Sequence, residues 1–452
     1  MPSPSLHTLS LAQAALEIRQ GRLTSVDLVR DCLDRIAAVD GAVRAWTFLD
    51  PEHALRQAAA LDGQRAEGKQ LGRLHGVPVG IKDVFDTADM PTELGSPIHA
   101  GRTPRRDATA VARLRGAGAV ILGKTVTTEF AYYHPGKTAN PHDPDRTPGG
   151  SSSGSAAAVG ALMVPGAIGS QTNGSVIRPA AFCGVVGFKP THGLIARSGA
   201  LLLSRALDHV GTFARTVEDA ALLAEVMAGF DPGDPDTRTM ATPPLVAVAS
   251  EEPPVAPRFA FVRTPMWDQA ESATHEAFAE LVEALGDQLA EVALPPDAGR
   301  IVEMHNLIMD VDMARNLARE YAQAKDRMSP TLQQLMARGH QHLAVDYRRA
   351  LDLVEPINDL LDGIFDAFDA IVTPAATGEA PLTLEATGSP VFCTTWSYLG
   401  TPAITLPLLQ GPAGMPLGVQ LVGRRGGDAR LLRTARWLAA TLGRLAAANA
   451  AF

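Results

Sequence analysis

Cysteine is scarce in this sequence: Cys32, Cys183 and Cys393 are the whole supply among 452 residues, without paired spacing and mostly in apolar company. That excludes a disulfide-stapled scaffold and suits reduced core thiols in a cytoplasmic protein. No His or Cys cluster has metal-ligand spacing, so neither a metal nor another cofactor is expected. Long apolar runs are missing too: none approaches 18 residues, and Met1 to Gln20 lacks a basic stretch followed by an apolar core. Neither export nor membrane insertion is expected. Positive charge is in deficit, and a net charge of −9 argues against a nucleic-acid partner. Lysine is rarer still, six residues against 34 arginines. In a chain that uses Arg for its surface charge, a Lys at the end of an apolar strand is informative.

What is present reads as a soluble enzyme, 46% hydrophobic and 20% charged. Ser10 to Gln20 and Ser25 to Val39 read as helices, each opening at a capping serine; their packing faces leave a homodimer open. Pro51 to Glu67 is a third helix, Val77 to Lys82 a strand, Asp107 to Arg115 a helix and Ala119 to Leu122 a strand. This alternation means α/β. Thr216 to Met227 and Ser272 to Leu285 are amphipathic helices; Ile301 to Ala324 and Ser329 to Phe368 are helical. Arg258 to Arg263, Ile371 to Pro374, Ala403 to Pro407 and Val419 to Val422 are strands, and a helix from Asp428 closes the chain. The interleaving argues for one domain over 1–452, with a core at about 70–215 and 258–452 completing the sheet. The Pro-rich 230–257 stretch is a surface excursion long enough for a lid.

The chain is organised around Pro148 to Pro179. Gly149 and Gly150 permit unusual backbone angles, Ser151 to Ser153 offer hydroxyls and a helix cap, and Gly154 to Ala158 let a helix pack closely. Val164 to Ile168 then forms a strand, and Gln171 to Ser175 a second polar loop ending in a serine. Serine is a weak nucleophile until a base takes its proton. Leu74 to Asp83 supplies a candidate, because its strand carries Lys82 into apolar surroundings, where desolvation favours the neutral amine.

Together these stretches resemble the amidase signature family, serine amidases with a Ser, cis-Ser, Lys triad. The similarity rests on Gly149 to Val159, Gly174 to Ala180, Gly80 to Asp83, Gly184 to Gly193, Leu399 to Ile404 and Pro416 to Gln420, so it spans nearly the whole chain. It implies an amidase signature fold, an α/β architecture with a large twisted mixed sheet covered by helices on both faces, and hydrolysis of a small amide by water through an acyl-enzyme. It also implies Ser175 as nucleophile, Ser151 as bridging serine after a cis peptide, and Lys82 as base. The N–H groups of Thr172, Asn173, Gly174 and Ser175 would form the oxyanion hole. The C-terminal half would close the pocket with Thr394, Thr395 and Trp396. Three departures stand out: Gln171 replaces the family's usual Asp, Asn173 its usual Gly, and Arg178 lies three residues past the nucleophile rather than two. This variant resembles the malonamidase-type subgroup, in which that arginine meets a substrate carboxylate.

Other readings compete. The A subunit of a tRNA-dependent amidotransferase shares the triad, though Gln171, Asn173 and Ile177 argue against it. Gly150 to Gly154 fits the nucleophile elbow of α/β-hydrolases, with Ser152 as an esterase nucleophile, but a Pro, Asp and Gly loop precedes it where a strand is required. Gly118 to Thr125 fits a phosphate-binding loop, yet Val120 to Leu122 puts a strand inside the motif.

Overall fold

The computed structural model describes residues 5–449. One sheet of eleven strands runs through it: β1 (Trp46–Leu49), β2 (Pro78–Lys82), β3 (Val120–Thr125), β4 (Gly166–Gln171), β5 (Val186–Lys189), β6 (His209–Ala214), β7 (Phe259–Phe261), β8 (Leu289–Glu291), β9 (Ala370–Pro374), β10 (Ala403–Gln410) and β11 (Pro416–Val422). Their order across the sheet is β1-β3-β2-β4-β6-β5-β10-β11-β9-β7-β8. The sheet is mixed: β3-β2-β4 and β9-β7-β8 are parallel, and the joins between them are antiparallel. Strands β2, β3, β5, β6 and β9 are buried at every residue, so both faces of the sheet are covered.

The first helices are α1 (Leu11–Arg19), α2 (Ser25–Val43), α3 (Pro51–Ala66) and α4 (Thr109–Gly116). Ser10 caps α1 in a capping box, as its spacing predicts. Helix α2 starts one residue differently, with Thr24 accepting from the Asp27 N–H while Ser25 lies inside the helix. Next come α5 (Ser153–Gly160), α6 (Ile177–Phe182), α7 (Val217–Met227), α8 (Leu245–Ala249) and α9 (Ser272–Leu285). Within residues 230–257, α8 packs on α7 and α16.

The predicted 301–324 and 329–368 helices are each divided, into α10 (Ile301–Asn316) and α11 (Ala318–Ala324), then α12 (Pro330–Gly339), α13 (Ala344–Asp352) and α14 (Val354–Ala367). At the end of α12 only glycine fits against α10, since a Cβ on Gly339 would lie 2.2 Å from the Asp310 carbonyl. Helices α15 (Val391–Tyr398) and α16 (Asp428–Asn449) complete the fold, with α16 against α7, α8 and β10. No helix among the described residues is long and apolar enough to cross a membrane.

Candidate active site

Strand β2 ends at Lys82, whose side chain is fully buried. Its Nζ lies 2.7 Å from Ser151 Oγ and 2.9 Å from Ser170 Oγ. Burial drives the Lys82 ammonium well below its ordinary pKa, and the charge of Asp208 opposes that shift. An amine in this setting is held toward its neutral form and can accept a proton. Lys124, beside Ile81 on the neighbouring strand β3, is also buried but has a carboxylate partner. It pairs with Asp83 at 3.3 Å and donates to the Phe85 and Pro91 carbonyls. That cluster ties down the loop that follows Lys82, and with β3 running from Val120 to Thr125 the phosphate-loop reading has no cradle.

Ser151 follows a cis peptide bond from Gly150 and precedes α5. The close packing of α5 explains its small residues: a Cβ on Gly154 would lie 2.2 Å from the Ala45 carbonyl and 2.3 Å from the Val126 nitrogen. Ser152 is completely buried and donates to the Ser170 carbonyl at 3.2 Å. It is a poor nucleophile on that geometry, and no strand leads into it as the elbow requires.

The second loop, 172–175, follows β4. Among the described residues, none of the N–H groups of Thr172, Asn173, Gly174 and Ser175 donates a hydrogen bond within the protein. The next two do: Val176 and Ile177 N–H both donate to Gln171 Oε1, at 2.8 and 3.0 Å. Gln171 thus folds the loop with its carbonyl end, while its Nε2 donates to Ser397 Oγ at 2.9 Å. A row of free amides beside a serine can stabilise an oxyanion.

Ser151, Thr172 to Ser175 and Arg178 share the walls of one cavity of about 20 Å³ with Ala131, Tyr132, Tyr133, Leu203, Met309 and Met313. That is room for about one water. Arg178 is 1% exposed. Its Nη2 donates to the Gly150 carbonyl at 2.7 Å and to Thr387 Oγ1 at 3.3 Å, whereas Nε and Nη1 have no partner among the described residues. Burial lowers its pKa without threatening its charge. Tyr133, also on the cavity, accepts from Asn173 Nδ2 at 3.2 Å.

The C-terminal residues differ from expectation. Thr394 Oγ1 donates to Asn173 Oδ1 at 2.7 Å and so supports the loop from behind. Thr395 and Trp396 are outside the cavity wall; Trp396 is fully buried in the core, one face of α15 away. Ser397, not singled out from the sequence, donates to the Asn173 carbonyl instead.

Two more groups were not anticipated. Asp208 accepts from Thr172 Oγ1 at 2.6 Å and from the Leu203 and Ser204 N–H groups at 2.7 and 3.0 Å. Burial raises its pKa to about 6 against those hydrogen bonds. An acidic residue directly before the strand His209 to Ala214 was its available signal. His305 is hydrogen-bonded through Nε2 to the Thr172 carbonyl at 3.0 Å, and its spacing of four from Met309 and again from Met313 marks one helix face.

Comparison with known proteins shows the family. A family profile described as Amidase matches residues 27–432. The A subunit of the glutamyl-tRNA(Gln) amidotransferase of Chloroflexus aggregans is 35% identical over 470 residues, covering 95% of this chain and 95% of its own. The native peptide amidase of Stenotrophomonas maltophilia superposes with a TM-score of 0.84 at 29% identity, over 95% of this chain and 96% of its own. A 6-aminohexanoate cyclic dimer hydrolase superposes with a TM-score of 0.85 at 27% identity, over 97% of each chain. The chain therefore belongs to the amidase family and is an amidase, a hydrolase of carbon–nitrogen bonds.

Proposed function

We propose that the enzyme hydrolyses a small amide bearing a carboxylate, such as a half-amide of a short dicarboxylic acid, through an acyl-enzyme on Ser175. The observation that carries the substrate choice is Arg178, buried in the serine cavity with Nε and Nη1 unpartnered among the described residues. A guanidinium with free donors in a closed site fits a planar anion. The alternative role, tying the loop to a carbonyl, is also supported, because Nη2 holds Gly150. One side chain serves both, using one edge for the loop and offering the rest.

In the proposed reaction Lys82 draws a proton from Ser151 while Ser151 draws one from Ser175, whose oxygen attacks the amide carbonyl. The free N–H groups of Thr172 to Ser175 receive the oxyanion, and the proton returns along the same path to the leaving nitrogen. Water then attacks the acyl ester and releases the acid. The 2.7 Å approach of Lys82 to Ser151 supports the first transfer.

A second reading, a protein that passes ammonia to a partner, is favoured by the 35% identity to the amidotransferase of Chloroflexus aggregans. A screen of small amides with ammonia readout, run on the isolated chain, separates the two. We expect turnover without a partner, loss of turnover in Ser175→Ala with the fold intact, and labelling of Ser175 by a serine-reactive phosphonate. Ammonia release that appears only with a co-purifying protein would favour the second reading. An inactive Ser152→Ala beside a fully active Ser175→Ala would move the nucleophile to the first loop.

A further inference from the structure

The serine side of the cavity is polar, and the side facing it is not. Met309 and Met313, one turn apart on α10, share that wall with Leu203. Polar ties fix the position of α10. His305 holds the Thr172 carbonyl at 3.0 Å, and Asn316 Nδ2 donates to the Leu203 carbonyl at 2.9 Å. Asp312 accepts from Ser204 Oγ at 2.5 Å, and Arg338 of α12 clamps Asp310 with bonds of 2.9 and 3.1 Å. The helix backbone is therefore anchored to the nucleophile loop, to the 203–204 loop and to α12. With the backbone held, it is the side chains on α10, Met309 and Met313, that can adjust this part of the wall.

That space is about 20 Å³. An acyl group seated on Ser175 would have to enter this space, whose wall includes the methionine pair. An unbranched thioether can swing aside for a slender chain but still occupies the wall. We propose that Met309 and Met313 are specificity-determining residues that limit the length of the acyl chain. The inference rests on the amide-hydrolysis reading above and is independent of whether Arg178 binds a carboxylate, since the wall acts on neutral and acid-bearing chains alike.

The test measures kcat/KM for straight-chain amides from acetamide to octanamide, and for half-amides of the corresponding diacids, with the wild type, Met309→Ala, Met313→Ala and Met309→Phe. Comparing long and short substrates within one protein sample cancels any loss of folded enzyme. Beyond its optimum, the wild type should lose about tenfold or more per added methylene. Each alanine variant should move the optimum to longer chains and raise the long-to-short ratio by about tenfold, and Met309→Phe should move it the other way. A chain-length profile unchanged across all four proteins overturns this inference alone. Failure of the wild type to cleave any amide overturns the hydrolysis reading and this inference together.

Discussion

Replacing Arg178 separates the role proposed for it in substrate recognition from its tie to Gly150, because Nη2 makes that tie while Nε and Nη1 have no partner among the described residues. Arg178→Ala removes the Nη2 donor from the buried Gly150 carbonyl, bonded at 2.7 Å, and leaves that carbonyl unsatisfied. The expected cost in stability is about 1–3 kcal/mol, whatever the substrate. With an acid-bearing amide the variant also loses a charged partner inside a closed site, an effect of about 2–5 kcal/mol. At about 1.4 kcal/mol per decade, that is a fall of roughly 30- to 4000-fold in kcat/KM. Arg178→Lys keeps the charge but not the fork, and should fall between the two. The assay compares succinamate with butanamide, an acid-bearing and a neutral amide of the same length, and records the melting curve alongside. Selective loss on succinamate supports recognition. An equal loss on both amides, or a lower Tm with unchanged selectivity, would refute it and leave Arg178 a structural tie.

Lys82→Ala should lower kcat by about 10²- to 10⁴-fold. In the wild type, activity should rise with pH along a limb set by the coupled Lys82 and Ser151 pair, at lower pH than a free lysine would give because burial depresses the Lys82 pKa; an active Lys82→Ala enzyme with the same pH profile would remove Lys82 from the reaction. Asp208, ionised above about pH 6, favours the protonated form of Lys82. Asp208→Asn should therefore shift the acid limb to lower pH, and a limb that stays in place or moves upward in a pH–rate profile would contradict the charge argument.

The serine loops and Lys82 were legible because their chemistry is local: small residues that only a tight helix-to-strand contact needs, and a rare lysine at the end of an apolar strand. The C-terminal wall was harder, and α15 shows why. Thr394 and Ser397 are three residues apart and both reach Asn173, whereas Thr395 and Trp396 are rotated to other faces. Reading the segment as a block of polar and aromatic residues gave up the helical period that sorts it. Helix α10 was predicted, yet nothing local states that its Met309 and Met313 face Ser175. That contact depends on His305, Asp312 and Asn316 bonding to residues at least a hundred positions away in the chain. The close contact of Gly339 with the Asp310 carbonyl of α10 is likewise non-local, whereas the break at Leu353 had a local signal in Pro356, which has no N–H to donate to the Asp352 carbonyl.

The strand order has a consequence for how the molecule is made. Strands β10 and β11 stand between β5 and β9, so the hairpin from Ala403 to Val422 joins two blocks of sheet that are built earlier in the chain. During synthesis β5 and β9 each wait with an open edge, separated by a gap that only this late segment fills. Unpaired edges invite pairing with other chains, and contacts between distant segments form slowly. The nascent protein therefore carries the serine loops long before the hairpin locks the sheet behind them. A chain truncated after Leu399 would carry Ser151, Ser175 and Lys82, with its sheet in two unjoined pieces.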